Sequence, residues 1–242
     1  MADAIQLHHG TNSTAKWLDQ ELAQVHNALQ ATADELRSPL SDLVRMQVEA
    51  AHPLVRAAVV LAAAYRPPDA LTNRTRRVAL ASALEMLHVA LSVHRLLLAG
   101  GPDEADLDRS LIGSTILAGD YCFSRAAQLA AQTDSPQVVE IFAEALKEIS
   151  EMQLRDLFES QVDSDRNQTS LLIRSGILGA AQLSQLTPGE TSTILTAAPE
   201  ILNQPTSPAA SAEVEGLLDS FPQFQRTAWQ QVVAWSAATR ST

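Results

Sequence analysis

The run Leu84-Glu85-Met86-Leu87-His88-Val89-Ala90-Leu91-Ser92-Val93-His94-Arg95-Leu96-Leu97-Leu98-Ala99 is apolar on three sides of a helical wheel. Ser82, Glu85, His88, Ser92 and Arg95 recur at steps of three or four and share the fourth side. A surface helix carries a single apolar stripe, so a helix this greasy belongs in the middle of a bundle. Its polar stripe then faces either neighbours that hydrogen-bond it or the wall of an internal cavity, because buried polar groups are normally paired. The helix spans about 74–99, with Asn73 as its cap and Gly100-Gly101-Pro102 as its stop.

The same periodicity extends outward in both directions. Trp17, Leu18, Leu22, Val25, Leu29 and Leu36 mark a first helix over about 14–36, which Ser38-Pro39 breaks. Further helices follow at about 40–51 and 53–65, the latter with Pro53 in its first turn, and then at 106–132. Ser135-Pro136 places a cap before a proline at the first helical position and opens a helix to about residue 161. Helices over about 170–186, 187–202, 212–219 and 224–238 complete the chain, with Pro205 and Pro208 in a linker at 203–211. Alternating β-branched runs bounded by turn signals are missing, so the fold class is all-α, in one domain over 1–242.

Composition narrows the function. Of 242 residues, 46% are hydrophobic but only 4% aromatic, so the core is built of Ala, Leu, Val and Ile. A net charge of −11 disfavours nucleic acid and anionic membrane surfaces as partners. The longest apolar run, 57–65, is far short of the roughly 20 residues a spanning helix needs, so no membrane span is expected. The lone Cys122 excludes an internal disulfide and fits a small core residue. Residues 1–10 carry no basic-then-apolar pattern, and the expected location is cytoplasmic.

Few constellations carry chemistry. His88 and His94 point to different faces of their helix and do not form a metal pair, and no zinc site is expected. A glycine-rich phosphate loop and a nucleophile elbow are both absent, and Ser13-Thr14-Ala15-Lys16 is too short a Ser-x-x-Lys match to carry weight. Arg74, Arg76 and Arg77 cluster at a helix start, where they either pair with acids of this acidic chain or hold an anion.

The order of these motifs resembles the trans-isoprenyl (polyprenyl) diphosphate synthase family. Glu85 to His94 looks like the stretch leading into that family's first aspartate-rich motif. Ile116-Leu117-Ala118-Gly119-Asp120-Tyr121 is similar to its Leu-Ala-Gly-Asp-Tyr helix and is the most specific match. Met152-Gln153-Leu154-Arg155-Asp156-Leu157 resembles its Gly-Gln-x-x-Asp-Leu segment without the glycine, and Gln168-Thr169-Ser170-Leu171 its Lys-Thr-x-x-Leu segment without the lysine. The likeness covers about 40–186, with 212–242 as divergent C-terminal helices, and implies a helical bundle of the isoprenoid synthase type.

Against the family's Asp-Asp-x-x-Asp, the acidic positions hold Arg95, Leu96 and Ala99; no Asp-Asp pair follows downstream; and of the Gly-Lys-Arg-x-Arg-Pro motif, aligned with His52 to Ala57, only Arg56 survives. Magnesium needs hard oxygen ligands, so the resemblance implies no metal and no cofactor in this chain, with magnesium held by a catalytic partner. It implies a relict substrate cavity at Arg56, Glu85, His88, Ala90, Leu91, Arg95, Gln153 and Asp156, His88 matching a diphosphate-contacting histidine. Gly113, Leu117, Gly119, Asp120, Phe123 and Ala127 fall on helices through which the family dimerises. The expected function is therefore a chain inactive by itself, the non-catalytic subunit of a heterodimeric polyprenyl diphosphate synthase. It pairs with a catalytic synthase subunit and influences activity or product length. A stand-alone module holding a prenyl or other lipid chain is the alternative, and metal-free chemistry by Glu85, His88 and Arg95 is a third reading.

Overall fold

The computed structural model describes residues 10–51, 53–68, 70–97, 109–159, 164–203 and 208–239. Among them are ten helices and no strand, in the order α1 (Gly10–Asp34), α2 (Leu40–Ala51), α3 (Val55–Ala63), α4 (Leu71–Arg95), α5 (Arg109–Ala131), α6 (Pro136–Glu159), α7 (Ser164–Ser184), α8 (Pro188–Asn203), α9 (Pro208–Asp219) and α10 (Gln223–Thr239). The all-α expectation holds.

Helix α4 is central, as its composition requires. It packs on α1, α2, α3, α5 and α7, and from Ala79 to Ala90 only His88 escapes full burial. The local signals act where they stand. Ser135 Oγ accepts from the Val138 amide at 3.4 Å. Thr187 and Glu190 form a reciprocal box, with the Thr187 amide donating to Glu190 Oε2 at 2.7 Å and the Glu190 amide to Thr187 Oγ1 at 3.3 Å.

Several boundaries differ from expectation. Helix α4 begins at Leu71 with Ala70 as its uncapped start, so Asn73 lies inside the first turn. Helix α1 begins at Gly10 and α7 at Ser164, both earlier than the apolar periodicity indicates, because their first turns are polar. Helix α8 runs through Pro199, and Pro208 is the first residue of α9, so the expected linker is partly helical. Proline at a first helical position loses nothing, since that amide has no intrahelical acceptor.

The C-terminal helices, unassigned by the resemblance, close the bundle over α3. Helix α10 packs on α3, and Gln225 Nε2 donates to the Ala63 carbonyl at 2.7 Å, satisfying an acceptor at the end of α3. Trp229 is fully buried and meets Phe221 edge-on at 5.2 Å.

Helix α7 reaches α3 and α4 at a glycine. A Cβ on Gly176 would lie 2.6 Å from Val60 Cγ2 and 2.8 Å from Leu84 Cδ1. Alanine gains about 0.5–1 kcal/mol of helix propensity, but overpacking a closed core costs about 1–3 kcal/mol. Gly176→Ala is therefore expected to destabilise the chain in urea unfolding. Gly216→Ala in α9, where nothing lies within 4 Å of the added carbon, is expected to stabilise it.

Candidate functional site

The polar stripe of α4 meets the first turn of α3. Leu54, which precedes α3, is in the left-handed region at φ 57 and ψ 42, sparsely populated for a branched side chain. The turn it makes delivers two donors to one buried acid. Glu85 Oε2 accepts from Arg56 Nε at 3.1 Å and Nη2 at 2.7 Å, and Glu85 Oε1 accepts from the Ala57 amide at 2.9 Å. Glu85 has no solvent exposure and Arg56 only 9%.

One turn further along α4, His88 is half-buried. Burial, and then the charges of Arg56 and Arg95, push its imidazole from 6.5 down to about 3, so it is neutral at physiological pH. At the end of the stripe, Arg95 Nη2 donates to Gln168 Oε1 on α7 at 3.1 Å, and Gln168 is itself buried. On either side of Glu85, Ser82 Oγ and His88 Nδ1 are shielded from solvent and have no hydrogen-bond partner among the described residues. The stripe is thus only partly satisfied by its neighbours, and orphaned buried polar atoms of this kind call for an explanation such as a ligand.

The described part of this site does not fit magnesium. Both oxygens of Glu85 are taken by α3, and Arg95 and Leu96 offer no oxygen ligand. No group of three or more His, Cys, Asp or Glu among the described residues is placed to hold a metal ion. The Arg95 guanidinium and a neutral imidazole suit an anion instead, while the charge of Arg56 is held by Glu85.

The depressed His88 pKa sets a pH dependence. Between pH 6.5 and about 3 the unfolded chain binds a proton that the folded chain does not. This contribution to stability is complete above pH 6.5 and is lost as pH falls through that window. In His88→Gln, urea midpoints should decline less between pH 6.5 and 4.5 than in the parent, roughly the upper half of the interval over which linkage acts.

The structure thus brings Arg56, Glu85, His88 and Arg95 into one neighbourhood and adds Gln168. The other cavity candidates behave differently. Ala90 and Leu91 are 0% and 2% exposed and belong to the main core cluster. Gln153 is half-buried on α6, and the Asp156 side chain lies outside the described residues.

The interface candidates divide as well. Leu117, Asp120 and Ala127 lie on the exposed face of α5, and Gly113 is half-buried with open space at its Cβ. Gly119 faces inward, a correction to its expected place: an added Cβ would lie 2.0 Å from His94 Cδ2, so the glycine is the socket for that ring. His94 Nε2 is 3.4 Å from Asp120 Oδ1, and the ring meets Phe123 at 5.2 Å, so Phe123 serves the α4–α5 contact too. Periodicity cannot show this, because a glycine reads alike on an inner and an outer face.

The arginine cluster resolves as internal ion pairing. Arg77 Nε donates to Glu21 Oε2 at 2.7 Å, Arg74 Nε is 3.4 Å from Glu21 Oε1, and Arg76 Nε donates to the Thr133 carbonyl at 2.6 Å. Glu21 escaped sequence reasoning, although an acid amid Trp17, Leu18, Leu22 and Val25 was a visible signal. Cys122 is buried as expected, and burial pushes its thiol up to about 12.

No family model matches the chain. It is 30% identical, over 166 residues, to a prenyl transferase of Synechocystis sp. (strain ATCC 27184 / PCC 6803 / Kazusa), a match covering 64% of this chain and 50% of that protein. The chain thus spans about half the length of the curated relative it matches. A polyprenyl synthase from Caulobacter crescentus CB15, solved with calcium and isoprenyl diphosphate, superposes with a TM-score of 0.63 at 17% identity, over 93% of this chain and 97% of that one. Its fold is that of the trans-prenyl diphosphate synthases. A decaprenyl diphosphate synthase from Rhodobacter capsulatus gives 0.58 at 19% identity over 95% and 87%, and a geranyltransferase from Legionella pneumophila gives 0.63 at 15% over 96% and 99%.

The resemblance to the prenyl diphosphate synthases is borne out. The likeness to proteins named as prenyl transferase and synthase also overturns the expectation that the chain is not an enzyme. On a synthase fold, the missing aspartates of one helix do not establish inactivity. No helix of the described residues is long and apolar enough to cross a membrane.

Proposed function

We propose that the chain works in prenyl transfer as one subunit of an assembly of synthase-fold chains, and that it sets the activity or product length of that assembly. The observation that carries this reading is the half-satisfied stripe of α4. Arg56, His88 and Arg95 gather there, with Ser82 Oγ and His88 Nδ1 unpartnered among the described residues, at the buried centre of a synthase fold. The anionic end of an isoprenoid diphosphate matches this set: the Arg95 guanidinium supplies charge, Arg56, neutralised by Glu85, supplies donors, and a neutral imidazole can orient an oxygen without desolvating a third cation.

The assembly is supported by the outer faces of α5 and α6. Ile116, Leu117, Val139 and Leu154 are large apolar side chains exposed there, Leu117 at 63% and Leu154 at 56%. Leu117, Asp120, Ser124 and Ala127 form one exposed stripe at helical spacing on α5.

The test is co-expression with an intact aspartate-rich synthase from the same genome, followed by tandem purification and product analysis from labelled allylic and homoallylic diphosphates. The two chains should co-purify, and the product distribution should differ from that of either chain alone. Leu117→Asp places a charge in the apolar contact and should reduce co-purification about tenfold or more while the chain stays folded. Co-purification no better than with an unrelated protein would overturn the reading. A lipid held by the isolated chain in native mass spectrometry would favour a stand-alone carrier.

A further inference from the structure

Helix α7 lies antiparallel to α4 and meets it along one stripe. Gln168, Leu172, Gly176 and Gly179 follow one another at steps of four and three, so they share a face. A Cβ on Gly179 would lie 3.1 Å from Leu80 Cδ2, and one on Gly176 would lie 2.8 Å from Leu84 Cδ1. At the far end of the seam Gln168 meets Arg95. The contacts descend α7 as they ascend α4, and His88 falls between those of Leu84 and Arg95. The two glycines let α7 approach closely below His88, so the packing of the seam sets where Gln168 stands.

Gln168 is an amide at a position where an apolar side chain would pack without needing a partner. It is 3% exposed, and its Oε1 accepts from Arg95 Nη2 at 3.1 Å. The partner fixes the orientation of the amide, because a guanidinium only donates. The two arginines of the site are thus held in different ways. Glu85 gives Arg56 a carboxylate, which orients the guanidinium and cancels its charge. Gln168 gives Arg95 an amide oxygen, which orients it and adds no charge. Arg95 lies two turns beyond His88 on the same face of α4. Its charge reaches the imidazole, where it acts after burial and Arg56 to keep the ring neutral.

Resting on the function proposed above, we infer that Gln168 is a positioning residue of the anion site: it fixes the Arg95 guanidinium beside His88 without neutralising it, so that the two groups hold phosphate oxygens of one ligand. An apolar residue at 168 leaves the guanidinium to the many rotamers of a long side chain, and ordering it again opposes binding. A carboxylate at 168 keeps the guanidinium in place but cancels its charge, as Glu85 does to Arg56.

The experiment titrates the full chain and its variants with sodium pyrophosphate by calorimetry. Gln168→Met, close in length and apolar, should weaken pyrophosphate about tenfold, the loss expected when a hydrogen bond to a charged group is removed. Gln168→Glu keeps the shape and an acceptor for Arg95, so it should remain folded in urea titrations yet bind pyrophosphate more weakly than Gln168→Met. Its carboxylate should also move the His88 titration to higher pH, followed by the Cε1–H resonance and assigned by the loss of that signal in His88→Gln. A side chain that serves packing alone would not give that shift. Parent affinity in both variants, or an unmoved His88 titration in Gln168→Glu, would overturn the role of Gln168 and leave the anion site standing. A parent chain that binds no pyrophosphate up to about 10 mM would overturn the proposed function together with it.

Discussion

Glu21→Leu is expected to remove about 3–5 kcal/mol from the unfolding free energy, the largest loss of any single substitution considered for this chain. Arg77 has no solvent exposure and Glu21 only 1%. The guanidinium donates through Nε at 2.7 Å and again through Nη2, while the rings of Trp17 and Tyr65 flank it at 5.5 and 5.4 Å. Those rings stack on each other at 4.9 Å, joining α1 to the segment that follows α3. Leucine removes the carboxylate that accepts both of these hydrogen bonds from the buried guanidinium, and Arg74 loses the same acceptor. The double variant Glu21→Leu/Arg77→Met should recover much of the loss, because the cost lies in stranding one charge rather than in the net worth of the pair. Urea unfolding of the three variants decides it. A double variant as unstable as the sum of the singles would show that the two residues are not coupled and would overturn this reading.

Glu85→Gln is the second large effect, and it should act in opposite directions on stability and on binding. Glutamine keeps an oxygen for the Ala57 amide but removes the charge that neutralises Arg56. A buried cation left unpaired costs about 3–5 kcal/mol, here at the lower end because the Arg56 side chain retains 11% exposure. The freed guanidinium then adds its charge to that of Arg95 around His88. Inorganic pyrophosphate should therefore stabilise Glu85→Gln against urea by more than it stabilises the parent, since a ligand of the folded state adds stability with its affinity. Arg56→Met in the same background should abolish the extra shift. Equal pyrophosphate shifts in parent and Glu85→Gln would remove Arg56 from the anion site and would count against the proposed function.

The candidate site was legible in part. Glu85, His88 and Arg95 follow from helical spacing on one apolar helix, and the resemblance points to Arg56. That spacing could not say that Glu85 is consumed by α3, because the acceptor and its donors are separated by 29 and 28 residues in the chain. Gln168 was visible only as a changed letter in a motif until Arg95 met it across a separation of 73 residues. Gly119 read as an interface glycine because small residues permit close approach on either face of a helix, and the His94 ring decides which face.

By itself the sequence determined the helices and the central place of α4. These rest on interactions within a few residues: the spacing of Trp17 to Leu29, the Ser135 cap and the Thr187–Glu190 box each act inside one or two turns. Only the tertiary structure decided which polar groups are spent on the fold and which remain for a ligand. Glu21 and Glu85 hold arginines, while Ser82, His88 and His26 have no partner among the described residues. Burial makes that division, because the free energy of a charge or a lone pair depends on what the rest of the chain brings within about 3 Å of it.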